Sequence, residues 1–196
     1  MKYLVTGGNR GLGKHFVESL GADSISRTNG FDITSSVAAI ATKSLDYDVF
    51  INNAFDGPPH EPWANFGQVN VLHAVYFKWA EANKAGFIIN VGSSGEKSIV
   101  APDPSFETYR VAKAALAYAS KQCTAAFKNN KVPFKTTLLT LDRLDTELSR
   151  SRPTWTGNGL NLTDVSNFVK YVITLQSNTV VEEITLYVDL NHKEVI

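Results

Sequence analysis

Four glycines fall within seven residues near the start of this chain, directly behind a short apolar run: Tyr3-Leu4-Val5-Thr6, then Gly7-Gly8-Asn9-Arg10-Gly11-Leu12-Gly13. The apolar run reads as a strand. Across 12–20, apolar residues stand at 12, 16, 17 and 20, the spacing of a helix. A glycine-rich turn between strand and helix lets backbone N–H groups approach a ligand with no Cβ in the way. The helix N-terminus adds its partial positive charge there. This combination, spaced T-G-x-x-x-G-x-G, suits a phosphate group; a tight turn with no ligand is the plainer alternative.

The same alternation continues to the end of the chain. Strands are expected at 24–26, 48–52, 87–91, 134–141 and 180–188. Between them lie helical patterns at 37–42, capped by Ser35 or Ser36, at 66–83, at the Ala-rich 106–128, and at 165–175, capped by Thr163 or Asp164. The stretch 150–161 is polar, with Gly157-Asn158-Gly159, and reads as a loop. This order implies an α/β fold, a parallel sheet with helical crossovers on both faces. Ligands of such sheets bind at the carboxyl ends of the strands.

Composition narrows the function classes. Lys plus Arg and Asp plus Glu each number 19, so the net charge is zero, which argues against a nucleic-acid binder relying on a large positive charge. A chain of 196 residues, 43% hydrophobic, supports one domain. The single Cys123 excludes an internal disulfide framework and a multi-cysteine zinc site. His15, His60, His73 and His192 show no metal-ligand pairing, so no metal is expected. The first apolar run is cut by glycines, too short for a signal peptide, and no window approaches the roughly 20 apolar residues of a membrane span. A soluble cytoplasmic protein is expected.

Two further segments carry chemistry. Tyr109 and Lys113 are four apart, one face of a helix, where an ammonium lowers the pKa of a phenol and brings it toward acid/base use; alone the pair reads as an ordinary exposed one. The strand at 87–91 ends in Gly92-Ser93-Ser94-Gly95, which offers a hydroxyl for a substrate carbonyl or simply makes a turn. After the second strand comes Ser26-Arg27-Thr28, with Arg27 where a site for NAD would carry an acid, and Arg10 lies in the glycine turn. Two guanidiniums there suit a 2′-phosphate, so NADP is preferred and NAD is the alternative.

Taken together, Thr6 to Gly13, Asp32-Ile33, Ile51-Asn52-Asn53-Ala54, Val69-Asn70-Val71, Asn90-Val91-Gly92-Ser93 and Tyr109-x-x-x-Lys113 resemble the short-chain dehydrogenase/reductase family, in that family's order. The resemblance implies a Rossmann-like doubly wound parallel sheet, a single NAD(P)-binding domain over 1–196 with a substrate lid near 143–162. It also implies an NADP(H)-dependent oxidoreductase interconverting a carbonyl and a secondary alcohol. By resemblance Tyr109 is the general acid/base, Lys113 binds the nicotinamide ribose, and Ser93, or Ser94 in the alternative register, holds the substrate oxygen. Asn70 anchors a water for proton relay. Gly7, Asn9, Arg10, Gly11, Leu12, Gly13 and Arg27 meet the phosphates. Asp32 and Ile33 touch the adenine, Asn52, Asn53 and Ala54 run beside a ribose, and Thr146 meets the carboxamide.

Departures are visible. Phe55 stands where the family has glycine, Leu141-Asp142 replaces its Pro-Gly, and the link from Gly21 to Asp32 is very short. The lid is short and polar at its tip, with Trp155 placed to stack on a small polar substrate. The small-residue face of the Tyr109 helix suits either its own sheet or a homodimer or homotetramer interface. The alternatives are a catalytically silent dinucleotide-binding regulator and an NAD(P)-dependent epimerase or dehydratase.

Overall fold

A computed structural model of the protein describes residues 1–55, 66–97, 107–152, 155, 157–175 and 178–189. His60, Trp63, Pro102, Pro104, His192 and parts of the expected lid lie outside them. In chain order the elements are β1 (Tyr3–Thr6), α1 (Gly11–Leu20), β2 (Asp23–Ile25), α2 (Val37–Ser44), β3 (Val49–Asn52) and α3 (Gly67–Glu81). Then come β4 (Gly86–Val91), α4 (Glu107–Lys128), β5 (Phe134–Leu141), α5 (Glu147–Arg150), α6 (Leu162–Thr174) and β6 (Glu183–Leu186).

The six strands form one parallel sheet in the order β2-β1-β3-β4-β5-β6. Its strands alternate side chains between two faces because their period is two. Leu4, Phe50 and Ile88 point to a core shared with Ile40 of α2, Val71, Leu72, Val75 and Trp79 of α3 and Leu116 of α4. Val5, Val49, Ile51 and Ile89 point to the opposite core, shared with Phe16 of α1 and Val165 and Val169 of α6. The fold is thus a single doubly wound domain with helices on both faces. Trp79 is completely buried, sets its edge against Phe134 at 5.7 Å between centroids, and donates its Nε1–H to Ser44 Oγ at 2.8 Å. Its polar edge is therefore satisfied inside an apolar core.

Four local features differ from expectation. α6 starts at Leu162, because Asn161, whose side chain accepts from Thr163 N–H, is the cap; Thr163 and Asp164 sit inside the first turn. Ser36 is the N-cap residue of α2 without a side-chain cap bond, its hydroxyl accepting the Asp32 N–H instead. The short link after β2 holds a 3-10 turn at Arg27–Asn29, closed by Asn29 Oδ1 accepting from Ser26 N–H, which leaves three-residue β2 as the sheet edge. The loop at 150–161 is preceded by the short α5, and its base is closed by a bridge between Leu144 and Leu160.

From β1 the chain passes to β2 on one side and then to β3 on the other. The crevice at the carboxyl ends of β1 and β3 is therefore the topological switch point, where this architecture leaves room for a ligand. Among the described residues, no helix is long and apolar enough to cross a membrane, and no group of His, Cys, Asp and Glu could hold a metal ion.

Candidate active site

Thr6 ends β1 and ties it to the end of β3. Its Oγ1 accepts from the N–H groups of Asn53 and Ala54 at 2.9 and 2.8 Å, and its carbonyl accepts from Asn53 Nδ2. Gly7 lies against Ala54 as a result. Gly11 has φ +54°, a conformation that glycine adopts without strain. Gly13 leaves no room for any side chain, since a Cβ there would lie 2.1 Å from the Gly7 carbonyl oxygen.

Arg10 is the N-cap residue of α1, extended at φ −154°, and no side chain caps the helix. The first turn of α1 carries no acidic residue, and Leu12 within it anchors the helix in the core. Uncapped N–H donors beside a glycine turn fit an anionic diphosphate.

Asn9 Nδ2 donates to Ser26 Oγ and Thr28 Oγ1, joining the glycine turn to the segment after β2. Arg27 begins that segment and its charge helps to hold the Asp32 carboxyl below its usual range. The larger causes are the bonds that Asp32 accepts from the Thr34 hydroxyl and N–H. Ile33 is buried against Gly67. Thr146 caps α5, accepting from Ser149 N–H, and its methyl group faces Gly11.

Asn52 is wholly buried. Its Nδ2 donates to the Gln68 carbonyl and to Asn90 Oδ1, and Asn90 donates onward to Ser120, so the side chain of Asn52 serves as a joint between β3, β4 and α3.

At the end of β4 the chain brings three polar side chains together. The Tyr109 phenol on the first turns of α4 shares a hydrogen bond with the Ser93 hydroxyl. Lys113, one turn on, places Nζ 5.8 Å from the Tyr109 ring centroid. Ser93 Oγ also accepts from Gly95 N–H at 3.2 Å. Ser94 is engaged elsewhere, its hydroxyl donating to Asp142 Oδ1, so the serine beside the phenol is Ser93. Asp142 Oδ2 also accepts from Val188 N–H, giving Leu141-Asp142 a bracing role at the end of β5.

Lys113 is 4% exposed, and Nζ donates to Gln68 Oε1 at 2.8 Å and to the Val91 carbonyl at 2.9 Å. The Phe55 ring covers it, 5.2 Å from Nζ to centroid. Burial pushes the Lys113 pKa down to about 7, against a smaller upward pull from the Glu96 charge. The phenol departs from the sequence expectation. Burial raises the Tyr109 pKa, and the Ser93 hydrogen bond and the Arg152 charge only partly oppose it. Desolvation penalises the phenolate here, and it also weakens the charge of the very lysine expected to stabilise it.

Asn70 is exposed on α3, and the α3 side chain that bonds Lys113 directly is Gln68, which the sequence reading missed. Successive helical residues turn by about 100°, so positions two apart point to nearly opposite sides. Gln68 shares the buried face with Val71, Leu72, Val75 and Trp79, the i, i+3, i+4, i+7, i+11 stripe, and that spacing is the signal that would have identified it. The Trp155 ring packs onto Gly159 at the base of its own loop. Arg150 is held by both oxygens of Asp145, at 2.6 and 2.9 Å.

No family model matches the chain, and no curated protein matches it either. Solved structures do. The closed form of serine dehydrogenase complexed with NADP+ aligns at a TM-score of 0.71 and 17% identity, covering 100% of this chain and 97% of that one. A short-chain dehydrogenase from Burkholderia cenocepacia J2315 in complex with NADP aligns at 0.68 and 21% identity, over 95% of this chain and 87% of that one. For 4-hydroxyisoleucine dehydrogenase complexed with NADH the TM-score is 0.67 at 19% identity, over 94% and 96% of the two chains. The order of elements, the all-parallel sheet and this likeness over nearly the whole length lead to one conclusion: the chain has the Rossmann-like fold of the short-chain dehydrogenase/reductase proteins.

Proposed function

We propose that this protein is an NADP(H)-dependent oxidoreductase that interconverts a carbonyl and a secondary alcohol on a small, polar substrate. The observation that carries the reading is the Ser93–Tyr109 hydroxyl pair with Lys113 one helical turn on, at the carboxyl ends of the strands that also present the glycine turn.

Gly7, Asn9, Arg10, Gly11, Leu12 and Gly13 would hold the diphosphate at the uncapped start of α1. Arg10 and Arg27 would meet a 2′-phosphate. No carboxylate directly follows β2, where Ser26, Arg27 and Thr28 stand, and this favours NADP over NAD. Asp32, Ile33, Asn52, Asn53 and Ala54 would flank the adenosine half, Asn52 through its backbone. Thr146 would close over the carboxamide, at the start of a lid spanning about 143–162. When bound, the nicotinamide supplies or accepts the hydride.

The chain's own groups handle the proton and the orientation. Ser93 donates its hydroxyl hydrogen to the substrate oxygen and fixes the carbonyl. Tyr109 gives its phenolic proton to that oxygen as it gains charge in reduction, and takes the proton back in oxidation. The burial that raises the Tyr109 pKa keeps this proton in place at neutral pH, which suits the reducing direction. Lys113 places an ammonium beside the phenol and would bond the ribose hydroxyls. Self-association as a homodimer or homotetramer goes with this reading, although Ala112, Ala117 and Ala119 of the small-residue face of α4 are buried within the chain, while Val111 and Tyr118 of that helix are exposed.

One observation favours a second reading, a nucleotide-binding regulator without turnover: Lys113 already bonds to Gln68 and Val91, and Phe55 covers it. Loss of NADPH absorbance across a panel of small aldehydes and ketones decides between them. Carbonyl-dependent oxidation that Tyr109→Phe abolishes supports the enzyme. Tight NADPH binding with no oxidation by any carbonyl supports the regulator.

A further inference from the structure

The buried stripe of α3 is apolar except at Gln68, which is 2% exposed. Its Nε2 hydrogens go to the carbonyls of Asn52 and Val91, groups that only accept, so Oε1 is left facing Lys113 Nζ. Val91 O accepts from Lys113 as well as from Gln68. The three groups therefore close a ring of hydrogen bonds joining β4, α3 and α4. Through Asn52 and Asn90 the ring continues to Ser120, two turns further along α4.

We propose that Gln68 is the positioning residue of this site, the side chain that fixes where the Lys113 ammonium stands relative to the Tyr109 phenol. The proposal rests on the reading of Tyr109 and Lys113 as the reacting pair. Asn70, two positions on, is exposed, and Lys113 Nζ bonds to Gln68 and to the Val91 carbonyl. The choice of an amide has a chemical consequence. A carboxylate at the same place would lock the lysine in its charged form, whereas a neutral acceptor holds it while leaving its charge responsive to its surroundings. Those surroundings are the Val91 carbonyl from β4, the Phe55 ring after β3, the phenol of Tyr109 on its own helix, and Glu96 from the 3-10 turn that follows β4. With burial holding Lys113 near 7, each acceptor it keeps affects how much of it is protonated at neutral pH.

The test uses the full, nucleotide-free chain labelled with [13Cε]lysine, the Lys113 signal being identified by its loss in Lys113→Met. In the parent protein this signal titrates near 7. In Gln68→Met, which removes the acceptor at similar volume, the midpoint falls by about one unit, since a hydrogen bond to the charged form is lost. Gln68→Asn keeps an amide but shortens its reach. It moves the midpoint in the same direction and stands in if the Met variant does not fold. A parallel assay of NADPH oxidation shows kcat reduced roughly tenfold to a hundredfold with the KM for the carbonyl unchanged, the signature of a displaced catalytic partner. An unmoved midpoint overturns the proposal, as does a moved midpoint with kcat intact. If the parent oxidises no NADPH, the reading of the reaction fails instead, and the titration still decides whether Gln68 sets the state of Lys113.

Discussion

The ring of Phe55 stands edge-to-face against the ring of Tyr109, with centroids 4.9 Å apart and planes at 83°, and the same ring faces Lys113 Nζ. A nucleotide ribose that bonds to Lys113 has to displace this contact. The aromatic pair is worth about 0.5–1.5 kcal/mol, and a desolvated cation–π contact reaches about 2 kcal/mol. Phe55→Ala removes this competition, and NADPH binding tightens about tenfold, equivalent to roughly 1.4 kcal/mol. Titration of NADPH fluorescence reads it; unchanged or weaker binding would clear Phe55 of any gating part.

Tyr109→Phe deletes the phenolic hydroxyl, the proposed proton donor, and its bond to Ser93 while keeping the ring against Phe55. Carbonyl-dependent turnover falls about 10²- to 10⁴-fold, the usual contribution of a positioned acid, while the NADPH dissociation constant stays within about twofold, because the ring's packing is retained. Stopped-flow measurement of turnover beside equilibrium binding separates the two, and parental turnover in this variant would refute the assignment.

Gly13→Ala forces a methyl group to within 2.1 Å of the Gly7 carbonyl oxygen. The obstacle is backbone, so the turn itself must move, at a cost of about 1–3 kcal/mol. Urea unfolding shows the lowered midpoint, and NADPH binding weakens in the same variant. Parental stability together with parental binding would mean that the turn is looser than this packing implies.

Glu183 on β6 concerns stability. Burial alone would raise its pKa. The bonds it accepts from Lys97, Lys121, Thr140 and Thr185 outweigh that and hold it at about 2. A free glutamate titrates near about 4.3. The native state therefore binds fewer protons than the unfolded chain between these values, and the stabilisation is present above about 4.3 and is lost as pH falls toward 2. The carboxylate is 18% exposed but its lysine partners are nearly half exposed, so solvent screening limits the gain. Glu183→Gln lowers stability by about 1–2 kcal/mol at pH 7, and the difference from the parent shrinks as pH drops from about 4.5 to 2.5. Urea titrations at several pH values measure it; an equal gap at both ends contradicts the account.

Long elements were legible from the residues. Phe134–Leu141 is a strand over the span its β-rich run indicates, and the Ala-rich helix of Tyr109 ends at Lys128 as expected. Short pieces were not. α5 covers four residues, about one turn, too few for a helical period to register, and the 3-10 turn at Arg27–Asn29 is shorter still. Motif order pointed to the segments that meet at the carboxyl ends of β1, β3 and β4. It did not separate Ser93 from Ser94, because adjacent serines in one turn offer the same chemistry until one is tied to Asp142.

From the residues alone came the alternation of strand and helix, hence a parallel sheet with covered faces, the glycine turn at the head of α1, and the spacing of Tyr109 and Lys113 on one side of a helix. These are properties of neighbouring residues, governed by local periodicity and by the steric freedom of glycine. Only the tertiary structure decided which groups meet across elements: Gln68 on Lys113, Phe55 over both Tyr109 and Lys113, Asn52 turned into the interior. Such meetings depend on how each helix is rotated about its axis and how its strands are registered. A change of two positions along a helix turns a side chain from the core to the solvent, and a pattern of letters does not measure that rotation.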